Sequence, residues 1–269
     1  MNTILIKYHI DKEINHGAFG KIYSGTHKIS KQRVAIKIEH RENSLIINEA
    51  RIYQIIGKIK GIPMFRMYLT DQKYCYLVMD LLGESLKSYK ENHFDNIQIE
   101  TIQTIGIQLI KILEEIHNLG IVHRDIKPQN IVFDKDYKNI YLIDFGFSKK
   151  IIFQSEKKSK DEFQHIQRRK ISNIIGSPNY ISVNVHNLIE PSRRDDLESM
   201  VYVLLYLIED TLPWAETSNE KTRVLKENLI NSNYNKTFIN ILIYLKTLKF
   251  EDKPDYKYII YMIKKIDYI

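Results

Sequence analysis

The sequence contains a single cysteine, Cys75, and this scarcity excludes one large class of proteins at once. One thiol cannot form an internal disulfide, so a disulfide-stapled secreted scaffold is excluded and a reducing compartment is indicated. A free cysteine in an apolar strand-like stretch is far more often a small buried residue than a reactive thiol. We therefore assign Cys75 a structural role.

Long hydrophobic runs are also absent. The longest uninterrupted apolar stretch, Met200 to Ile208, is too short to span a membrane and is flanked by acidic residues, so we predict a buried core helix there. Charges at Lys7, Asp11, Lys12 and Glu13 leave no room for the apolar part of a signal peptide. We expect a soluble intracellular protein, in the cytoplasm, the nucleus or both, with no membrane partner.

Internal repeats and proline-rich linkers are missing as well, and what remains is an ordinary globular composition. Hydrophobic residues make up 43% and charged residues 27% of the 269 residues, which excludes a disordered chain, a collagen-like repeat and a coiled coil. A chain of this length holds one large domain or two modest lobes. The net charge of +7 permits an anionic partner without identifying it.

The first 80 residues favour a small unit of strands with one helix. Strands broken by turns are predicted at Lys21–Ser24, Arg33–Glu39 and Tyr74–Met79. A helix is predicted from about Ser44, as its cap, to Ile56, because apolar residues recur on one face and Gly57 follows as a stop.

The rest of the chain is predicted to be mostly helical. Apolar residues recur at helical spacing from Ile102 to Ile116, and Gly120 follows at the C′ position. A hairpin is predicted from Ile131–Phe133 and Ile140–Ile143. Three more helices are predicted, from Asp195 or Asp196 to Ile208, at Lys221–Ile230 and at Thr237–Lys246. The basic stretch 149–170 shows no periodicity and is too long for a mere connection, so we predict a functional or mobile loop.

A glycine-containing turn, Ile14 to Ile22, is the first candidate binding feature. Gly17 and Gly20 allow backbone N–H groups to approach a phosphate closely, although such glycines are more often only part of a turn. Lys37 follows at the end of an apolar strand, where a lysine needs an anionic partner. Glu49 on the next helix can be that partner.

The segment His123 to Asn130 and the tripeptide 144–146, Asp-Phe-Gly, carry most of the chemistry. Asp125, Asn130 and Asp144 supply oxygen ligands and Lys127 a cation, a combination that suits Mg²⁺ with a phosphate. Each short motif alone is compatible with an ordinary polar turn. The ordered set of glycine turn, strand lysine, helix glutamate and these two segments does not arise by chance.

This ordered set resembles the signature motifs of the eukaryotic protein kinases over nearly the whole chain. The closer resemblance is to the casein kinase 1 family, in which a Ser-Ile-Asn stands where most kinases have Ala-Pro-Glu; here the residues are Ser182, Val183 and Asn184. The other segments that carry this resemblance are 81–86, 176–184, 192–199, 212–214 and 250–256.

The resemblance implies a two-lobed α+β fold, with a small antiparallel-sheet N-lobe containing one main helix and a larger, mainly helical C-lobe. Residues 1–269 would form a single protein kinase domain, with the N-lobe over about 1–83, the C-lobe over about 84–269 and the activation segment over about 144–184. ATP and Mg²⁺ are the implied cofactors.

The resemblance also implies a role for each matching residue. Asp125 would accept the proton of the substrate hydroxyl, Lys127 would stabilise the transferring γ-phosphoryl group, and Asn130 and Asp144 would hold Mg²⁺. The implied ATP-binding residues are Ile14, Asn15, Gly17, Gly20, Ile22, Ala35, Lys37, Glu49, Met79 as gatekeeper, and the hinge from Asp80 to Leu82. Asp196 resembles the buried aspartate that braces the catalytic loop, and its alternative role is a helix N-cap.

The first glycine of the turn is replaced by Asn15, the non-glycine residue that best tolerates positive φ, so we expect a tuned ATP affinity. In relatives an Arg and a Lys read phosphorylated or acidic substrates, and Asn179 and Ser172 occupy those positions here. Nearby basic residues could replace them, although a basic run is more often a solvated face; they are Lys157, Lys158, Lys160, Arg168, Arg169 and Lys170. We expect acidic preference to persist and strict phosphate priming to weaken.

The expected function is that of a monomeric, constitutively active serine/threonine kinase for acidic proteins. No activating Thr precedes the Gly-Ser pair at 176–177, and no long inhibitory tail follows the last helix in this sequence. The alternatives are a pseudokinase scaffold and, last, a nucleic-acid-binding module, for which no motif is found. Basic and acidic residues number 13 and 7 over 1–83, 8 and 3 over 149–170, and 19 and 23 elsewhere, which suits ATP and acidic proteins better than nucleic acid.

Overall fold

The computed structural model describes residues 3–16, 20–93, 97–154, 163–209, 211–232 and 234–266, and its N-terminal part is an antiparallel sheet. The strands are β1 (Tyr8–His16), β2 (Gly20–His27), β3 (Arg33–His40), β4 (Phe65–Thr70) and β5 (Tyr74–Asp80). They are hydrogen-bonded in the order β1-β2-β3-β5-β4. The predicted strands β2, β3 and β5 are confirmed, and Cys75 lies buried in β5 as expected.

The edge strands β1 and β4 were not predicted as separate elements. In β1 only Tyr8 is buried, and most of the side chains that follow it are exposed. A strand that pairs on one side only and packs little apolar surface does not show the alternation on which a strand prediction depends.

Helix α2 (Ile46–Ile56) packs against β4 and β5, and a short helix, α1 (Thr3–Lys7), precedes β1. The predicted cap, Ser44, is extended and lies one residue before the observed N-cap, Leu45, which makes no side-chain hydrogen bond of its own. The Leu45 N–H is instead bound by the Glu39 carboxylate at 2.8 Å. The predicted stop at Gly57 is confirmed by a positive φ of 63°.

The C-terminal part of the chain is mainly helical. Its helices are α3 (Leu86–His93), α4 (Ile99–Asn118), α5 (Val183–His186), α6 (Arg193–Ile208), α7 (Asn219–Asn228), α8 (Lys236–Thr247) and α9 (Tyr256–Ile263). Its short strands are β6 (Ile121–Val122), β7 (Ile131–Phe133), β8 (Ile140–Leu142), β9 (Lys149–Lys150), β10 (Ile152–Gln154) and β11 (Phe163–His165). The predicted helices and the β7–β8 hairpin are confirmed within a few residues.

Helix α6 forms the centre of this lobe and packs against α4 and α8. Apolar residues from Leu197 to Leu205 are buried on all sides, as expected for a helix without a solvated face. The helix starts at Arg193 with Ser192 as N-cap, whose N–H is bound by Asp195 at 2.7 Å. The alternative N-cap role for Asp196 is therefore wrong.

The prediction of an irregular stretch at 149–170 is also wrong in part. Strand β9 pairs with β6, and β10 pairs with β11 as a hairpin. Backbone hydrogen bonds organise these strands, and each is only two or three residues long, too short to show an apolar alternation in the sequence. Otherwise the predicted two-lobed α+β architecture is confirmed. No helix within the described ranges is both long and apolar enough to cross a bilayer.

Candidate active site

Lys37 on β3 lies at the centre of a buried charge cluster. Its Nζ is 2.8 Å from Glu49 Oε2 on α2 and 2.9 Å from Asp144 Oδ1, which follows β8. The structure therefore confirms the predicted pairing of Lys37 with Glu49 and adds Asp144 to it. The contact between Lys37 and Glu49 also holds α2 against the sheet.

Glu39 is a further member of this cluster that sequence reasoning missed. Its Oε1 lies 3.2 Å from Lys37 Nζ, and its side chain is fully buried. Its Oε2 accepts hydrogen bonds from the Leu45 N–H and the Ser44 hydroxyl, so it serves the start of α2 as well. The available signal was the spacing, because a glutamate two residues after a strand lysine lies on the same face of the strand.

The charges in this cluster are unequal, with three carboxylates around one ammonium group. Burial by itself lowers the pKa of Lys37, but Glu49, Asp144 and Glu39 outweigh burial and hold that pKa well above its ordinary value. Burial and the neighbouring carboxylates raise the pKa of Glu49 to about 7 against the opposing effect of Lys37. The net negative charge makes the site favourable for a divalent cation.

Asp125 is buried and held by four hydrogen-bond donors. Lys127 Nζ lies 2.6 Å and Asn130 Nδ2 3.2 Å from its Oδ2. The N–H and hydroxyl of Ser177 bind its Oδ1 at 3.0 and 2.9 Å. A carboxylate has about four acceptor positions, so its orientation in the loop is fully determined.

The contact from Ser177 was not predicted, and it depends on the preceding glycine. Gly176 has a φ of 95°, and a Cβ at this position would come within 2.5 Å of the Arg124 carbonyl oxygen. Only glycine combines this conformation with so close an approach. The Gly-Ser pair was assigned to the activation segment from the sequence, but its hydrogen bond to Asp125 could not be, because the two residues are 52 positions apart in the chain.

Asn130 and Asp144 are brought together by the backbone, since the Ile143 N–H donates to the Asn130 carbonyl at 2.9 Å. The Asn130 amide nitrogen binds Asp125, so its amide oxygen is the atom able to hold a cation. The side chain of Asp144 is one-third exposed, and Lys37 lowers its pKa although burial acts in the opposite direction.

These two oxygen donors fit Mg²⁺, which takes few protein ligands and completes its shell with water and phosphate oxygens. Among the described residues there is no group of three or more His, Cys, Asp or Glu suited to a metal. A cation here would therefore depend on Asn130, Asp144 and the oxygens of a bound nucleotide.

Asp196 supports the catalytic loop from α6. Its two carboxylate oxygens accept the backbone N–H groups of His123 at 2.7 Å and Arg124 at 2.8 Å. His117 also binds Asp196 at 3.0 Å. Burial raises the pKa of Asp196, but these hydrogen bonds outweigh it and leave the pKa below its ordinary value. The bracing contact expected from the resemblance is present.

The glycine turn is described only at its two ends. Ile14 and Asn15 lie in β1, Gly20 and Ile22 lie in β2, and Gly17 lies outside the described residues. A Cβ at Gly20 would come within 2.1 Å of the Ile38 carbonyl oxygen, so close packing on β3 requires this glycine. Asn15 pairs with Ile22 in the ladder between β1 and β2 and does not have a positive φ. The expectation that asparagine stands here because it tolerates a positive φ is therefore wrong.

The residues assigned to the adenine side lie at the ends of β3 and β5. Ala35 and Met79 are partners in the ladder, and Met79 is 8% exposed. Asp80 binds Arg66 through its side chain at 2.7 Å. In the described part of the chain no hydrogen bond uses the N–H or C=O of Leu82, which leaves both groups available to a ligand.

On the substrate side, the structure places no cation at Asn179 or Ser172. The Asn179 carbonyl binds the indole N–H of the buried Trp214, and Ser172 is exposed. Arg168 and Lys170 are exposed and have no carboxylate partner within the described ranges. Lys157, Lys158 and Lys160 lie outside the described residues.

The family model for the protein kinase domain matches residues 8–256. That match covers both lobes and every element that supplies the charge cluster and the catalytic loop. Protein kinases bind ATP with Mg²⁺ and transfer its γ-phosphoryl group. The chain belongs to the protein kinase family.

Proposed function

We propose that the protein is an active serine/threonine kinase of the casein kinase 1 type that phosphorylates acidic proteins without prior activation. The observation that carries the proposal is the complete set of hydrogen bonds around Asp125, with the ion pair of Lys37 and Glu49 formed at the same time. Phosphoryl transfer in this family needs the ion pair in place and an oriented aspartate to accept the proton of the substrate hydroxyl. ATP with Mg²⁺ supplies the transferable phosphoryl group and charge neutralisation.

Within this proposal Asp125 orients the substrate hydroxyl and accepts its proton. Since its acceptor positions are occupied, the hydroxyl must displace one donor, and Lys127 is the donor best able to move because its side chain is 22% exposed. Once displaced, Lys127 would stabilise negative charge on the transferring group. A lysine two residues after the catalytic aspartate is the feature that favours serine and threonine over tyrosine.

Preference for acidic substrates is supported by exposed cations of the activation segment that have no carboxylate partner in the described part of the chain. Arg168 and Lys170, with Arg169, line a cavity of about 600 Å³. Exposed arginine and lysine without partners attract carboxylates at modest salt concentration. A cavity of this volume is large enough for an acidic side chain of a protein substrate.

Phosphate transfer with Mg²⁺ and ATP tests the proposal directly. We compare acidic peptides that are identical except for a Ser, Thr or Tyr acceptor, and the variant Asp144→Asn serves as the blank. We expect transfer to Ser and Thr but not Tyr, and a loss of at least about a hundredfold in kcat for Asp144→Asn, because it removes a charge positioned for the cation.

Asp136→Asn is the matched control, since Asp136 lies exposed in the turn between β7 and β8, and it should keep full activity. A wild-type protein that binds ATP in a thermal-shift assay but transfers no phosphate to any peptide would instead be the pseudokinase scaffold.

A further inference from the structure

Glu190 is a buried glutamate that contacts three cations. Its side chain is 1% exposed, and its Oε1 lies 3.5 Å from Arg124 Nη1 and 3.0 Å from Lys149 Nζ. Its Oε2 lies 2.9 Å from Arg169 Nε. None of these contacts belongs to the charge cluster around Lys37.

The three cations come from three separate parts of the chain. Arg124 directly precedes Asp125 in the catalytic loop, Lys149 begins β9 shortly after Asp144, and Arg169 follows β11 in the activation segment. Positive charges at such separations repel one another unless an anion lies between them. Glu190 is that anion among the described residues.

The backbone fixes the position of Glu190. Its N–H donates to the Arg169 carbonyl at 3.0 Å, and the Ile171 N–H donates to the Leu188 carbonyl at 2.9 Å. Residues 169–171 and 188–190 thus pair as a short ladder after α5. Burial raises the pKa of Glu190, but the hydrogen bonds from Arg169 and Lys149 outweigh it, so the group is ionised at neutral pH.

Arg124 is consequently held at both ends. Asp196 binds its backbone N–H, and Glu190 pairs with its guanidinium group. Its φ of 73° is an uncommon conformation for arginine and requires such support. Because Arg124 adjoins Asp125, any shift of the arginine also moves the catalytic carboxylate.

We propose that Glu190 is a positioning residue that takes the place of an activating phosphate. In many kinases the activation segment is ordered when a phosphorylated residue pairs with arginine. Here an unmodified carboxylate supplies the anion, so the catalytic loop, β9 and the activation segment assemble without modification. The inference rests on the proposed function and explains its constitutive character.

Removal of the carboxylate tests this role. In an assay where chloride is the only anion besides ATP and the peptide, kcat of Glu190→Ala should fall by about tenfold, the size of effect typical for residues that couple without touching substrate. Glu220→Ala is the matched control, because Glu220 lies on α7 with a side chain 74% exposed, and it should keep the wild-type kcat.

Rescue by an external anion separates positioning from a merely structural role. The truncation leaves three cations around a cavity that adjoins the larger one lined by Arg169, so inorganic phosphate or sulfate can enter. At constant ionic strength these anions should restore part of kcat in Glu190→Ala and should not raise that of the wild type. They should also raise the Tm of the variant more than that of the wild type, since they bind the folded state.

Two outcomes would overturn the proposal. One is a kcat of Glu190→Ala within about twofold of the wild type in the chloride buffer, because so small a difference would show that Glu190 does not position the catalytic loop. The other is a loss of kcat that neither anion restores, with no anion-dependent rise in Tm. The Tm measurement needs no turnover, so it remains decisive for the anion site even if the wild type fails to transfer phosphate and the proposed function fails.

Discussion

At the scale of single residues, the backbone conformation of Asn15 decides what its replacement of a glycine means. The residue replaces a glycine and its type suggests a left-handed turn, yet it lies in extended β1 and its side-chain oxygen binds the next N–H at 2.8 Å. An extended strand accepts any side chain. The replacement of glycine therefore removes flexibility and introduces no strain.

Asn15→Gly is accordingly expected to change the apparent ATP affinity by less than about tenfold, or roughly 1.4 kcal/mol. The measurement is KM for ATP at a fixed saturating peptide concentration. Lys12→Gly, an exposed position on the same strand, shows what added backbone freedom does away from the turn. A variant that is active while the parent protein is inactive would refute this expectation.

At the scale of elements, Glu39 connects β3 to the start of α2. Helix N-termini leave backbone N–H groups without partners, and here a carboxylate from the sheet binds the N–H of Leu45. The same carboxylate contacts Lys37. One residue therefore sets the position of the helix that carries Glu49 relative to the strand that carries Lys37.

Glu39→Gln should lower both stability and activity. The amide oxygen can still accept from Leu45 and Ser44, but the charge that strengthens these hydrogen bonds and pairs with Lys37 is lost, so the free energy of unfolding should fall by about 1–1.5 kcal/mol, measured by urea denaturation. The ratio kcat/KM for ATP should fall with it, because the ion pair of Lys37 and Glu49 is less well held.

Glu42→Gln is the control for this substitution, since Glu42 is exposed in the turn before α2 and should change stability by less than about 0.5 kcal/mol. Equal effects of the two substitutions would show that Glu39 has no special role in joining strand and helix.

At the scale of the whole molecule, the positive charge is concentrated where anions would bind. The excess lies in residues 1–83 and 149–170, while the rest of the chain is net negative. Yet the positions at which the proposed casein kinase 1 likeness predicts cations hold Asn179 and Ser172, and Glu190 neutralises part of the neighbouring charge. Among the described residues, Arg168 and Lys170 have no carboxylate partner.

A peptide with Asp upstream of the acceptor should therefore be phosphorylated nearly as well as its phosphoserine counterpart, with kcat/KM values within about tenfold of each other. Both rates should fall as salt is added, because exposed charges are screened. Strong dependence on the phosphate would contradict this. Arg168→Glu should reduce the rate on the Asp peptide, whereas Lys221→Glu on the exposed face of α7 should not.

Much of this architecture could be predicted from local patterns. The buried helix α6, the β7–β8 hairpin and the end of α4 before Gly120 all follow from apolar spacing and turn residues close in sequence. The strands β9, β10 and β11 could not, because hydrogen bonds to other backbone segments define them and their side chains carry no alternation.

The sequence by itself determined which residues are proposed to carry the chemistry, because Lys37, Glu49, Asp125, Asn130 and Asp144 stand in motifs whose order is specific. Only the tertiary structure decided what holds them in place. Ser177 donates a hydrogen bond to Asp125, 52 residues away in the chain, and Glu190 contacts three cations from distant segments. Such contacts join residues that are remote in the chain, so no local spacing or periodicity records them, and they exist only once the backbone has brought the segments together.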